Sequence, residues 1–255
     1  MERLEQLFKT KKNILSVYFT AGFPHLDSTI SILESLQKNN VDLVEIGFPF
    51  SDPLADGKVI QESSTKALQN GMSLKYLFNE LKDIRKKIHL PLIMMGYLNP
   101  VLQFGMENFC RKLQELEIDG VILPDLPIET YEKEYKKIFG EYGIKNILLI
   151  TPQTAEERIR KIDALSQTFI YMVSSSSTTG TQKHNHNEKE EYFSAVKNME
   201  LKNPVLAGFG IHNRETFLQA CKYVNGGIIG SAYIKELSEG NSIEESTRNL
   251  IKIIL

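Results

Sequence analysis

Three acidic residues lie within one short stretch of this chain, and carboxyl groups are the commonest proton-transfer groups after histidine. Glu45 lies near the end of the apolar run 41–46, and Asp52 and Asp56 follow in a loop that contains Pro and Gly. Strand alternation places Leu43 and Glu45 on the same face of that run. If both faces of the strand are covered, the Glu45 carboxyl is buried, and an unpaired buried charge costs several kcal/mol. Glu45 is therefore either part of a structural ion pair or a functional acid, and both interpretations are open at this point.

The elements that must position these acids are short apolar runs, each followed by a segment with helical periodicity. The pattern predicts strands near residues 13–20, 42–46, 92–95, 120–123, 146–150, 169–173, 205–207 and 227–229. It predicts helices near residues 26–38, 58–69, 74–88, 106–117, 128–142, 155–165, 189–197, 214–223 and 243–254, and the amphipathic N-terminal segment predicts one more. The strands are continuously apolar, which is typical of a parallel sheet covered on both faces. Eight such units without a linker predict one domain over residues 1–255, a (β/α)8 TIM barrel with an extra N-terminal helix; a doubly wound sheet is the alternative.

Glycines follow the last two predicted strands, at residues 208–210 and at Gly230. In a TIM barrel these two loops often bind a phosphate through backbone N–H groups and the N-terminus of a short helix. The helix that begins at Ser231 would direct its free N–H groups toward such an anion. The glycines could instead serve tight turns alone. Their position after both neighbouring strands favours a phosphate site.

The polar segment 174–187 after the sixth predicted strand is long enough to close over the mouth of the barrel. Thr179 and Gly180 would then offer a hydroxyl and a backbone N–H to the same phosphate. A solvated insertion is the alternative. His184 and His186 lie two residues apart, but no neighbouring Cys or patterned acidic ligands accompany them, so solvated histidines are favoured over a metal site.

Aromatic residues occur near the ends of several predicted strands: Tyr18, Phe19, Tyr97, Tyr171 and Phe209. Barrel packing explains any one of them. At the C-terminal ends of different strands, however, they would converge on an apolar pocket that suits a flat aromatic substrate. Asp125 lies at another strand end, between two prolines, and a role in shaping the loop is favoured over a role in the pocket.

Composition excludes several classes of protein. The 255 residues carry a formal net charge of −2 with both signs dispersed, which gives no basic surface for nucleic acid or for an anionic membrane. The apolar runs are too short to cross a bilayer, and the acidic N-terminal segment is unlike a signal peptide. Cys110 and Cys221 lack disulfide or metal spacing and predict free thiols in a reducing compartment. The chain is expected to be soluble and cytoplasmic, with no nucleic-acid or membrane partner.

The stretch 45–57, Glu-Ile-Gly-Phe-Pro-Phe-Ser-Asp-Pro-Leu-Ala-Asp-Gly, resembles the signature of the tryptophan synthase α-subunit family, roughly E-[LI]-G-x-P-[FY]-S-D-P-x-A-D-G. A run of this length, with two Pro, two Gly and three acids in register, is specific. The resemblance extends over essentially the whole chain, in the family's order and spacing, through residues 20–24, 96–100, 124–127, 207–211 and 230–231.

The resemblance implies a (β/α)8 barrel that cleaves indole-3-glycerol phosphate into indole and glyceraldehyde 3-phosphate by a retro-aldol reaction. It places the family's general acid/base on Glu45 and its second carboxylate, which stabilises positive charge near the indole N–H, on Asp56. The implied phosphate site is Gly180, Gly210, Gly230 and Ser231, and the implied indole pocket is Tyr18, Tyr97, Tyr171 and Phe209. Thr179 would connect the loop after the sixth strand to Asp56.

The resemblance also implies a partner, a β-subunit that depends on pyridoxal phosphate (PLP) and joins the indole to serine, in an α2β2 heterotetramer. No cofactor is expected in this chain. Two departures from the family concern the loop after the sixth strand, where Ser175 and Ser177 replace a common Arg and Gly, and a third is Tyr18, which adds a hydroxyl where Phe is familiar.

Four functions follow as hypotheses, and a lyase that works beside the β-subunit is favoured. A different phosphosugar isomerase or aldolase would need a Schiff-base Lys or a metal cluster at the strand ends, and the sequence suggests neither. The retention of Glu45 and Asp56 argues against a non-catalytic activator of the β-subunit, but the altered loop after the sixth strand keeps this alternative open. A standalone indole-releasing lyase differs from the favoured hypothesis in partner dependence alone.

Overall fold

A parallel sheet curls around the centre of the molecule in the computed structural model, which describes residues 2–173, 185–208 and 210–255. The described strands are β1 (Ile14–Thr20), β2 (Leu43–Gly47), β3 (Leu92–Met95), β4 (Gly120–Ile122), β5 (Lys145–Asn146), β6 (Leu148–Ile150), β7 (Ile170–Val173), β8 (Val205–Gly208) and β9 (Gly226–Ile229). Their order is β5-β4-β3-β2-β1-β9-β8-β7-β6. Strands β5 and β6 are the two halves of one predicted strand, interrupted at Ile147, so the two ends of this order meet. The sheet is therefore a nearly closed barrel, and the predicted TIM-like fold is confirmed.

Helices surround the barrel. They are α1 (Glu2–Thr10), α2 (Ser28–Lys38), α3 (Lys58–Gln69), α4 (Leu74–Glu80), α5 (Leu98–Phe104), α6 (Met106–Glu115), α7 (Ile128–Thr130), α8 (Lys136–Glu141), α9 (Glu156–Leu165), α10 (Asn185–Asn198), α11 (Arg214–Cys221), α12 (Ser231–Ser238) and α13 (Ile243–Ile254). The prediction of a single helix over residues 74–88 was wrong. Helix α4 ends at Glu80, and a separate 3-10 turn forms at Ile84–Lys86, where backbone hydrogen bonds span three residues rather than four. A π-helical segment, Tyr131–Tyr135, separates α7 from α8.

Side chains of the strands alternate between two apolar layers, as the period of two requires. The inner layer fills the barrel with residues such as Tyr18, Leu43 and Ile93, whereas Val17 and Val44 point outward and pack against the helices. Each fully buried aliphatic side chain contributes about 1.5–3 kcal/mol to folding. The apolar runs in the sequence are therefore continuous because both faces of each strand are buried, one in each layer.

Helix α1 closes the N-terminal end of the barrel. Leu4 is fully buried there, and the Phe8 ring lies 5.4 Å from the ring of Phe169. The buried Asp119 carboxylate binds α1 and the strand ends together, because it accepts hydrogen bonds from Arg3 at 3.2 Å and from Arg85 at 2.6 Å. This end is packed and ion-paired, which leaves the C-terminal end of the strands for chemistry.

The two cysteines lie in helices, as expected: Cys110 is buried in α6, Cys221 is partly buried at the end of α11, and both are free thiols. Of the residues described, none belong to a helix long and apolar enough to span a membrane. The same residues include no group of three or more His, Cys, Asp or Glu that could hold a metal ion.

Candidate active site

Of the two candidate carboxyls, Asp56 lines a cleft, whereas Glu45 is buried in the barrel and does not line it. Glu45 is the middle residue of β2, has no exposed surface, and lies opposite Tyr18 of β1 in the sheet register. Asp56 belongs to the loop that leads into α3, is 9% exposed, and lines the cleft. A rigid strand thus holds one carboxyl inside the barrel, and a loop holds the other at its mouth.

The Glu45 carboxyl has one hydrogen-bond partner among the described residues. The Ser16 hydroxyl donates to Oε1 at 2.8 Å, while Oε2 is buried without a partner. Burial raises the pKa of Glu45 to about 8, and the bond from Ser16 lowers it in part. Glu45 is therefore mainly protonated at pH 7, which is the state that a general acid needs.

The Asp56 carboxyl is held by Tyr97. The Tyr97 hydroxyl donates to Oδ2 of Asp56 at 3.0 Å and accepts a bond from the Ala55 N–H at 2.9 Å, which fixes the loop. Burial raises the pKa of Asp56 to about 6, and the bond from Tyr97 lowers it in part. Asp56 is therefore mainly ionised at pH 7. The pKa values of the two carboxyls thus differ, with that of Glu45 above pH 7 and that of Asp56 below it.

The cleft opens to solvent, and about 510 Å³ of empty space lies within it and its open mouth. It is lined by Tyr18, Asp56, Ile60, Met95, Tyr171, Gly210, Ile211, Ile228, Gly230 and Ser231. The predicted aromatic residues Tyr18 and Tyr171 thus meet three predicted phosphate-site residues in one cavity. Gly230 precedes α12 and Ser231 begins it, so the N-terminus of this helix borders the cleft.

Two glycines make room for the tyrosines. A Cβ atom at Gly47 would lie 2.2 Å from the Tyr18 hydroxyl oxygen, and one at Gly208 would lie 2.1 Å from that of Tyr171. Any larger residue at either position would displace a ring from the floor of the cleft. Burial, with both carboxyls adding, raises the pKa of the Tyr171 hydroxyl well above its ordinary value, so this hydroxyl stays neutral.

Several predicted residues have other positions. Tyr97 does not line the main cleft; it contacts Asp56, stacks obliquely on Phe50 with 5.3 Å between the ring centres, and borders a smaller adjoining cavity.

The other acids predicted near the site have structural contacts. Asp125 accepts hydrogen bonds from the Leu98 N–H at both carboxylate oxygens, at 2.9 and 3.1 Å, in keeping with a loop-shaping role. Asp52 is exposed and accepts a bond from the Ser51 hydroxyl. The predicted residues outside the described part of the chain are Thr179, Gly180 and Phe209, together with Ser175, Ser177, His184 and the side chain of His186.

The sequence prediction missed Ser16. Its signal was present, because Ser16, Tyr18 and Thr20 alternate along β1 and therefore share the inner face of the barrel. Thr20 directs its hydroxyl to Ser63 of α3 at 2.7 Å, so Ser16 is the hydroxyl of this row that contacts a carboxyl.

Known proteins resemble this chain closely. A family model described as tryptophan synthase alpha chain matches residues 4–254. The tryptophan synthase alpha chain of Flavobacterium johnsoniae is 57% identical, covering 95% of this chain and 96% of the relative. That of Bacteroides thetaiotaomicron is 52% identical, covering 98% of each.

Solved structures agree with the sequence relatives. The alpha subunit of Legionella pneumophila tryptophan synthase superimposes with a TM-score of 0.88 at 30% identity, covering 100% of this chain and 97% of that one. A chain of the Pyrococcus furiosus tryptophan synthase complex superimposes with a TM-score of 0.86 at 34% identity, covering 96% and 98%. The resemblance inferred from the motifs is confirmed.

Proposed function

Because the chain belongs to the tryptophan synthase alpha chain family, an indole-3-glycerol-phosphate lyase, we propose that Glu45 and Asp56 carry out that reaction in the cleft described above. The observation that carries the proposal is a pair of carboxyls close to Tyr18 and Tyr171 of this cleft. Burial, opposed in part by a hydrogen bond, raises the pKa of Glu45 to about 8 and that of Asp56 to about 6. Family membership also sets aside the alternative of an unrelated phosphosugar isomerase or aldolase.

Glu45 acts first as an acid. Its Oε2 proton passes to C3 of the indole ring, which converts the ring to an indolium cation and Glu45 to a carboxylate. The Asp56 carboxylate, ionised at neutral pH, stabilises the positive charge at the indole N–H. Protonation at C3 turns the ring into a leaving group, which the neutral indole is not.

Glu45 acts next as a base. Its carboxylate removes the proton from the glycerol hydroxyl next to the ring as the C–C bond breaks. The electrons of that bond return to the indolium ring and neutralise it, and the hydroxyl carbon becomes the aldehyde of glyceraldehyde 3-phosphate. The proton lost in the first step is regained in the second, so Glu45 ends the cycle protonated.

The N-terminus of α12, which borders the cleft, suits the phosphate. The free N–H groups at the start of α12, beside Gly230 and Ser231, offer donors and the positive end of a helix dipole to an anion. Tyr18 and Tyr171 line the cleft and lie near Glu45, which has no exposed surface and does not line it. Proton transfer therefore requires these rings or the Glu45 side chain to move when substrate binds.

The solved structures that resemble this chain include tryptophan synthase complexes, which implies a beta-subunit partner. The family itself does not depend on PLP, which belongs to the beta subunit. We propose an α2β2 assembly in which indole passes to that subunit. Two exposed leucines support a docking face for that subunit: Leu54, in the loop that carries Asp56, is 89% exposed, and Leu102, on α5, is 47% exposed. The hydrogen bond between the Ala55 N–H and the Tyr97 hydroxyl connects this loop to the segment that leads into α5.

We also propose that residues 1–255 act as one domain in the cytoplasm. The pairing of β1 with β9 joins the first and last strands in one sheet, which supports a single folding unit.

Indole release from indole-3-glycerol phosphate tests the proposal. The wild-type chain, Glu45→Gln and the control Glu62→Gln are compared, alone and with beta subunit added; Glu62 is a surface residue of α3, paired with Lys58. Loss of release in Glu45→Gln alone, with stimulation by the beta subunit in the other two proteins, is expected. Indole release by the wild-type chain that is fast and does not increase when beta subunit is added would indicate a standalone lyase. If folded wild-type protein releases no indole in either condition, the remaining hypothesis is a non-catalytic activator of the beta subunit.

A further inference from the structure

A buried hydroxyl contacts the proposed acid, and packing alone does not require it. Ser16 has no exposed surface and lies in the middle of β1, between the outward-pointing residues Leu15 and Val17. The inner face that it shares is otherwise apolar at this level, with Ile14 and Leu43 among its members. A hydroxyl buried without a partner costs about 1–3 kcal/mol, so its bond to Glu45 is the reason that a serine is tolerated here.

The bond distinguishes the two oxygens of the Glu45 carboxyl. In the arrangement in which the Ser16 hydroxyl donates to Oε1, this oxygen is the acceptor and the proton of the neutral acid is on Oε2. Oε2 is buried and has no partner among the described residues. An O–H donor that is buried and has no acceptor among those residues is available to a substrate atom that reaches it.

From this geometry we propose that Ser16 is a positioning residue for Glu45: it anchors Oε1, directs the proton on Oε2 toward the substrate, and stabilises the carboxylate that forms when the proton leaves. The proposal rests on the function proposed above for Glu45. Ser16 itself does not line the cleft, so it acts through Glu45 rather than on the substrate.

The energetics support this role. A hydroxyl donates more strongly to a carboxylate than to a neutral acid, so the Ser16 bond strengthens as the proton leaves. Burial alone would hold the proton too tightly, and the Ser16 bond is the influence that opposes it. Within the described part of the chain, the titratable groups near Glu45 are Tyr18 of β1, Tyr171 of β7 and Asp56 of the loop. Both phenols stay neutral through the range of interest, and Asp56 titrates lower.

Ser16→Ala tests the proposal, with Ser16→Thr as a variant that keeps the hydroxyl. The control is Ser246→Ala, which removes an equally buried hydroxyl from α13, where it bonds the Glu236 carbonyl at 2.9 Å. In Ser16→Ala, kcat for indole release is expected to fall about 10- to 100-fold, and the basic limb of kcat/KM is expected to move up by about one to two pH units, which is the worth of one hydrogen bond to a charged group. KM should change less than threefold.

The control and the hydroxyl-bearing variant decide between positioning and structure. Ser246→Ala should leave the basic limb unmoved, and Ser16→Thr should return it toward wild type. If Ser16→Ala does not fold by circular dichroism, Ser16→Cys, a weak donor of similar size, takes its place with the same expected shift. An unmoved basic limb in folded Ser16→Ala or Ser16→Cys, or a loss confined to KM, would overturn the proposal. Activity in Glu45→Gln would instead overturn the function on which it rests, so the two failures are distinct.

Discussion

Glu45→Gln is expected to change how the stability of the chain depends on pH, independently of any activity. The ordinary pKa of a Glu carboxyl is 4.5, and burial raises that of Glu45 to about 8 in the folded chain. Between these values the folded state binds more protons than the unfolded state, so the free energy of unfolding falls as pH rises. The stability that the neutral carboxyl allows is present below about pH 4.5 and is lost by about pH 8. Gln cannot ionise and removes this dependence.

The size of the effect follows from the difference in pKa. Each pH unit between 4.5 and 8 costs the wild type about 1.4 kcal/mol, so the full change is about 5 kcal/mol. Between pH 5 and pH 9 about 4 kcal/mol of this is accessible. Gln adds a fixed cost, because its NH2 group occupies the Oε2 position, which has no partner in the part of the chain that the structure describes. This cost is the same at every pH. The slope, rather than the absolute stability, therefore carries the information.

Urea unfolding at several pH values between 5 and 9 measures the difference in unfolding free energy between Glu45→Gln and wild type. Subtraction cancels the groups that titrate alike in both proteins, including Asp56. We expect the variant to gain about 4 kcal/mol relative to wild type across this range, and the surface control Glu62→Gln to gain nothing comparable. If the difference in unfolding free energy between Glu45→Gln and wild type does not change with pH, Glu45 has an ordinary pKa. That result would refute the reasoning that makes Glu45 a proton donor at neutral pH.

Three further changes probe the rest of the site. Asp56→Asn is expected to lower kcat by about 10²- to 10⁴-fold without loss of inorganic phosphate binding by calorimetry, because it removes the anion that stabilises the indolium; a loss below threefold would contradict that role. Tyr97→Phe removes the donor that lowers the pKa of Asp56, so the acid limb of kcat/KM should move to higher pH relative to wild type; an unmoved limb would show that this bond does not tune Asp56. Leu54→Ser should leave basal indole release unchanged and weaken stimulation in a beta-subunit titration; full stimulation would place the docking face elsewhere.

Much of the barrel could be predicted from the sequence because its strands are continuous apolar runs with helices between them. Strand β3 was predicted at its observed bounds, 92–95, as was helix α3 at 58–69. Helix α5 was missed, because Asn99 and Pro100 give its first turn the composition of a loop, although Pro is tolerated in a first turn. The break between β5 and β6 at Ile147 was also missed, since it reflects pairing with different neighbours rather than any local signal.

The sequence predicted which residue types form the site, but not how deeply the Glu45 carboxyl is buried. The motif placed Glu45 and Asp56 in one short stretch, and strand parity placed Glu45 on the same face as Leu43, buried if both faces of the strand are covered. Neither indicated that Glu45 would be fully buried near Tyr18 and Tyr171, because the two rings take their positions from the space left by Gly47 of β2 and Gly208 of β8. The Tyr97 bond to Asp56 depends on the path of a loop, which spacing does not define.

The pH dependence of kcat/KM for indole release most directly tests whether a neutral Glu45 donates the proton, because kcat/KM reports the pKa values of the free enzyme. We expect wild-type kcat/KM to fall above about pH 8, where Glu45 loses its proton, and Glu45→Gln to release no indole at any pH. Glu45→Gln protein with near-wild-type release at pH 7 would contradict this role for Glu45.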